Sequence, residues 1–326
     1  MMRPRHLAQA LAVLSLAVAP AACGGGDDPS GSTTITLYTC VSDTTIQPVI
    51  ETFERDHPGT QVDLFRAPTG ELNARIAGDV RSGGLRADVV WGCDPLTMQD
   101  YVDQGLVGGW TPTTEIAADY RTDDYVGVAV LYMVAVSGEG VDPPTAWSDL
   151  TGPEYADGVA VPDPAVAASA LGALGYFADD PDYGTEFYSA LRDNGAKQVS
   201  TPDDVVTEVA EGNYAAGITT ANSAYAAQEN GSPIEVTWPD PGAVAVYGPV
   251  ALAADATDVD AAKAFISYVA SEAGQTQMAD VGSYPTLVGV PGPTKPADAS
   301  VVAPDWAELS ADKVALLAEY QQIFGG

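Results

Sequence analysis

The chain has 326 residues, 46% of them apolar, with 33 glycines and 24 prolines, enough for two globular lobes joined by many turns. Thirteen basic side chains stand against 45 acidic ones, a formal net charge of −32. Such a charge repels nucleic-acid phosphates and anionic membrane surfaces, which excludes nucleic acid as a partner and reads as a solvating surface.

Arg3, Arg5 and His6 precede an apolar run from Leu7 to Ala19. That length is short for a membrane span and fits the core of a signal peptide over residues 1–22. Ala21-Ala22-Cys23 follows, then a Gly- and Asp-rich tether to residue 32. The small residues before Cys23 resemble the lipobox of bacterial lipoproteins, although Pro20 stands where that motif usually carries Leu or Val. The resemblance implies lipidation at Cys23; a secreted protein cut nearby is the alternative. No later stretch is apolar and long enough to span a bilayer, so any membrane contact is expected through the lipid alone.

Cys40 and Cys93 remain, an even pair in an oxidising compartment, and each follows an expected strand. A Cys40–Cys93 disulfide is the expectation; a thiol metal site is the alternative, without CxxC spacing or nearby histidines.

The expected elements begin with a strand over 33–39 and a helix from Ile46 to Asp56, whose Ile46, Val49, Ile50 and Phe53 recur at helical spacing. His57-Pro58-Gly59 stops that helix. A strand over 61–65, a helix opened by Thr69-Gly70 and the apolar strand Ala87-Asp88-Val89-Val90-Trp91 follow, then a short helix over 95–104. This alternation predicts an α/β fold with parallel sheet. Residues 125–137 and 244–253 are long, apolar and bounded by turn residues, as expected of strands crossing between lobes. A block with its own strand–helix alternation lies between them. Helices over 259–270 and 272–281, a Pro/Gly-rich run and a last helix over 310–324 complete the chain. The expected division is a first lobe from 33–130 and 254–326 and a second from 131–253.

Enzyme signals are weak. His57 sits in a helix stop, no serine occupies a G-x-S-x-G elbow, and no phosphate loop of the GxxxxGK[ST] kind is present. Asp179, Asp180 and Asp182 lack the spacing of a calcium loop. Nothing singles out a catalytic acid pair among the carboxylates, which leaves a secreted hydrolase as a remote alternative. What recurs is a polar turn between a strand and a helix: Ser42-Asp43, Thr69-Gly70, Asp94, Asp163 with Ser169, and Thr219-Thr220-Ala221-Asn222-Ser223. Helix starts present free N–H groups and a positive dipole end, which suits small anionic or polar ligands; ordinary N-capping is the competing explanation.

The leader, the PTGELNARI…ADVVWG run (68–92), the crossings and the last helix resemble an extracellular solute-binding protein of an ABC importer, over residues 33–326. Within that superfamily the chain is similar to the ferric-ion-binding type, whose relatives bind phosphonates, thiamine or phosphorylated solutes. The resemblance implies a two-lobed α/β clamp with two crossing strands as hinge, a monomer that hands its solute to permease subunits. It also implies no enzyme activity and no cofactor. It places the protein outside the cytoplasm, membrane-anchored or periplasmic. The metal-binding tyrosines of that type correspond to Ala221 and Asn222 here, and its histidine to Ser42. Its carboxylate falls at Cys93 or Asp94. A ferric site would rest on Asp43, Asp94 and Tyr225. A phosphonate or phosphate ester suits Ser42, Thr69, Thr220, Asn222 and Ser223 better, with Arg66 as charge partner. The full expected ligand set adds Gly70, Ser169 and Thr219.

Overall fold

Thr33–Thr39 (β1) alternates polar and apolar residues, and Ile35 and Leu37 point into the core with no exposure. The helix Asp43–Asp56 (α1) buries Ile46, Val49, Ile50 and Phe53 beneath it, the face that the helical spacing predicts. Truncating a fully buried ring such as Phe53 costs about 3–5 kcal/mol. Thr60–Arg66 (β2), Thr69–Arg81 (α2), Val89–Trp91 (β3) and Pro95–Asp103 (α3) complete this first run. The computed structural model describes residues 32–293 and 295–325; the leader, the tether and Cys23 lie outside the described residues.

Val126–Gly138 (β4) is the first crossing strand. The middle block then gives Val159–Pro162 (β5), Ala168–Asp179 (α4), Glu186–Asp193 (α5), Lys197–Val199 (β6) and Pro202–Ala210 (α6). It ends with Ala216–Thr220 (β7), Ala221–Glu229 (α7) and Ile234–Thr237 (β8). Ala243–Leu252 (β9) crosses back, buried along its whole length. Val259–Val269 (α8), Glu272–Asp280 (α9), the short strands Tyr284–Pro285 (β10) and Val301–Val302 (β11), and Trp306–Phe324 (α10) follow.

One sheet runs through the molecule in the order β2-β1-β3-β9-β4-β7-β5-β6. β2, β1 and β3 are parallel, as are β7, β5 and β6, and the antiparallel pair β9–β4 separates the two groups. β3 pairs with the end of β9 at Val89–Leu252, whereas β7 pairs with the far half of β4 at Met133–Thr220. The C-ends of the two parallel groups therefore point toward each other across the middle of β4. That juxtaposition is what an open α/β fold needs to form a ligand crevice.

The last helix differs from expectation. It starts at Trp306, four residues early, because Asp305 caps it by accepting from the Ala307 and Glu308 N–H groups. The expected division puts α10 in the lobe formed by 33–130 and 254–326; it lays Leu309 and Tyr320 into the core beneath α4 and α5. Lys313 on the same helix reaches Asp100 of α3 at 2.6 Å. The helix straddles both halves. The strands β6, β8, β10 and β11, two to four residues each, carry too little pattern for the sequence to reveal.

Candidate functional site

The C-ends of β1 and β3 are tied together by one hydroxyl. Thr39 Oγ1 donates to the Trp91 carbonyl at 2.9 Å and accepts from the Val41 N–H at 3.1 Å. A disulfide joins Cys40 and Cys93, the residues just past β1 and β3, with Cα atoms 6.0 Å apart. This frame forms one wall. The facing wall is built from the β5–α4 connection, the start of α6 and the start of α7. Between them lies a solvent-open cleft of about 930 Å³ when the open solvent in its mouth is included. Its floor is the pair of crossing strands, with Ala129 and Leu131 from β4 and Gly248 from β9.

Five helices begin at this cleft: α1 after Ser42, α2 after Pro68, α4 after Ala167, α6 after Thr201 and α7 after Thr220. Of these, α1, α2, α4 and α7 have no side-chain hydrogen bond to their first N–H groups. Away from the cleft α3, α8, α9 and α10 are capped by Asp94, Asp258, Ser271 and Asp305, whereas α5 is not capped. Thr201 and Asp204 form a reciprocal capping box on α6. Pro68 and Ala167 have no polar side chain with which to cap. The cleft thus collects positive dipole ends, with the first N–H groups of α1, α4 and α7 free of side-chain caps and the Gly70 N–H of α2 turned to the Val166 carbonyl, an arrangement that suits small anions.

Hydroxyls and one guanidinium complete the lining. Ser42 Oγ lies 3.0 Å from Thr44 Oγ1 and 3.1 Å from Thr45 Oγ1. Thr220 Oγ1 donates to Ser223 Oγ at 2.8 Å, and Ser223 Oγ donates to Asp203 Oδ1 at 2.5 Å. Arg66 lines the cleft with Nε donating to the Val41 carbonyl at 3.1 Å. Its Nη1 is 4.0 Å from Asp43 Oδ2, a loose pair that leaves donors of the guanidinium fork available. Asp203 is the carboxylate among the lining residues, and it is already engaged by Ser223.

Of the residues expected from sequence, Ser42, Thr69, Ser169, Thr220, Asn222 and Ser223 come together in the cleft. Five others sit elsewhere. Asp43 is exposed beside Arg66 and does not line the cleft. Gly70 packs against the opposite wall, its N–H 3.4 Å from the Val166 carbonyl. Thr219 turns away on β7 and donates to the Pro202 carbonyl at 2.8 Å. Tyr225 lies a turn into α7, rotated off the cleft, where its hydroxyl accepts from Trp238 Nε1 at 2.9 Å. Asp94 is fully buried as the cap of α3, with Oδ1 accepting from Thr97 N–H at 2.7 Å. Burial raises its pKa, opposed by that backbone N–H and by Lys313. Asp43, Asp94 and Tyr225 therefore do not converge. Among the described residues no group of three His, Cys, Asp or Glu side chains is placed to hold a metal ion.

Thr45, Trp91, Thr201, Asp203 and Ser283 also line the cleft and are not among the ligand residues expected from sequence. Asp203 follows the same strand-then-helix rule as the others. The signal was present in Thr201-Pro202-Asp203-Asp204, a capping motif with Pro at the first helical position. It was obscured because β6 has three residues.

A ligand crevice between two strand groups joined by two crossing strands, lined by helix starts, defines a two-lobed solute-binding clamp. Residues 35–282 match the model of a family described as bacterial extracellular solute-binding protein, and the chain belongs to that family. As a member of that family it is a solute-binding protein. Among solved structures, the chain is similar to the periplasmic binding protein AfuA from Actinobacillus pleuropneumoniae with exogenous fructose-6-phosphate bound. The TM-score is 0.81 at 18% identity, covering 90% of this chain and 99% of that one. It is also similar to iron-bound HitA from Pseudomonas aeruginosa, with TM-score 0.74, 17% identity, and 89% and 99% coverage. The spermidine/putrescine-binding periplasmic protein of Escherichia coli is 30% identical over 160 residues, 47% of this chain and 46% of that protein. The chain thus spans about half the length of the curated relatives it matches. Among the described residues no helix is long and apolar enough to cross a membrane.

Proposed function

We propose that this protein captures a small phosphonate or phosphate ester between its two lobes and delivers it to the permease subunits of an ABC importer. The carrying observation is the contrast in capping. Four of the five helices whose starts line the cleft leave their first N–H groups without a side-chain cap, α6 being the capped exception, while away from the cleft α3, α8, α9 and α10 are capped and α5 is not. Arg66 adds a bidentate donor on the same surface. The hydroxyls of Ser42, Thr69 and Ser169 and the Asn222 amide add neutral donors, a set suited to several oxygens around one phosphorus. The likeness to a structure bearing fructose-6-phosphate supports this reading.

A ferric ion, the second reading, draws on the likeness to iron-bound HitA. The residues expected to hold it are dispersed, with Asp94 buried in a cap and Tyr225 hydrogen-bonded to Trp238. A polyamine, named for the curated relatives, needs carboxylates, and Asp203 is the one that lines the cleft. The same proposal makes Cys23 the lipid anchor outside the cytoplasm and divides the clamp at the crossing strands. Thermal-shift assays with fructose 6-phosphate, methylphosphonate, ferric citrate and spermidine test the ligand class. Stabilisation by the first two is expected; stabilisation by spermidine alone would overturn the reading.

A further inference from the structure

Trp91 is 1% exposed and lines the cleft at the end of β3. Its indole Nε1–H is buried without a hydrogen-bond partner. An indole nitrogen donates and never accepts, and an unmade buried donor retains its desolvation cost. Two other tryptophans show the usual solution: Trp147 Nε1 donates to the Gly242 carbonyl and Trp238 Nε1 to the Tyr225 hydroxyl, both at 2.9 Å. Beside the Trp91 nitrogen the floor is kept bare by Gly248. A Cβ at that position would stand 3.8 Å from Nε1 and 3.0 Å from the Gly92 carbonyl oxygen. The other floor side chains, Ala129 and Leu131, bring no acceptor.

We propose that Trp91 Nε1–H is a ligand donor at the cleft floor. The solute is then an oxyanion that sets one acceptor oxygen against β3 while its remaining oxygens meet the helix starts. This rests on the oxyanion reading of the cleft and narrows it. A polyammonium chain offers this donor no acceptor. An ester presenting its alkyl end to the floor leaves the N–H unmade and binds more weakly than one presenting oxygen.

The test uses the full mature chain labelled with 15N-tryptophan, whose five indoles give separate N–H resonances. Inorganic phosphate, methylphosphonate, fructose 6-phosphate and spermidine are the probes. Binding of an oxyanion is expected to move the Trp91 indole proton downfield and leave that of Trp147 in place. Trp91→Phe, which keeps an aromatic ring and removes the donor, is expected to lower oxyanion affinity about tenfold or more. An oxyanion that binds with the Trp91 resonance unmoved and with undiminished affinity for Trp91→Phe overturns this inference and leaves the oxyanion reading standing. Binding of spermidine alone, or of no probe, overturns both. If Trp91→Phe does not fold, the wild-type resonance decides.

Discussion

The N–H of Gly70 lies 3.4 Å from the carbonyl oxygen of Val166, so the first turn of α2 touches the β5–α4 connection directly across the cleft. A Cβ at Gly70 would stand 3.0 Å from the Ala165 carbonyl oxygen, a contact that backbone on both sides cannot easily relieve. The residue expected from sequence to face the ligand instead limits how far the walls approach. Gly70→Ala is predicted to hold the clamp partly open, weakening ligand affinity about tenfold through faster release, with little change in the melting temperature of the unliganded protein. Surface plasmon resonance separates the two rates, and an unchanged release rate would count against a closing role.

Arg66 is the cation among the cleft-lining residues. Charge-assisted hydrogen bonds to an anion contribute roughly 1.5–3 kcal/mol. Arg66→Gln is therefore expected to lower affinity for a phosphate ester by about tenfold to a hundredfold, and Arg66→Lys to recover part of the loss without the bidentate geometry. Calorimetric titration of both variants checks this, with increased salt weakening the wild type more than Arg66→Gln.

The Cys40–Cys93 disulfide closes a loop with a sequence separation of 53 residues and fixes the wall that carries α1 and α2. Replacing both cysteines by serine is predicted to destabilise the fold by about 2–4 kcal/mol, read from denaturant unfolding. Reducing agent should lower the wild-type melting temperature and leave the double variant unaffected.

Much of this was legible in the sequence because the chain obeys local rules. Ile46, Val49, Ile50 and Phe53 disclosed the face of α1, and the two long apolar runs disclosed the crossings, since strands covered on both faces have no polar period. The polar turns after strands disclosed six of the residues brought to the cleft. Orientation was not legible. Thr219 and Thr220 are adjacent and identical, yet strand alternation sends one to Pro202 and the other to Ser223 in the cleft. Trp91 read as core, and its lining role depends on Gly248, distant in sequence and adjacent only through the β3–β9 pairing.

Asp94 gives a pH signature. Burial raises its folded-state pKa above the ordinary carboxylate value, so the native state holds the proton more tightly than the unfolded chain. Its contribution to stability therefore falls as pH rises from the unfolded value, about 4, through the folded one. Asp94→Asn keeps an acceptor for the Thr97 N–H and removes the buried charge. The variant is predicted to melt at or above the wild-type temperature at pH 7, with the difference shrinking toward pH 4. A wild type more stable than Asp94→Asn at pH 7 would show that the ionised carboxylate is favoured in the fold.

The oxyanion assignment is tested most directly by calorimetric titration of the mature protein with fructose 6-phosphate, methylphosphonate and spermidine under one buffer. One-to-one binding of a phosphorylated or phosphonate ligand, weakened in Arg66→Gln and absent for spermidine, is the predicted result. Saturable binding of spermidine with no response to either oxyanion would contradict it.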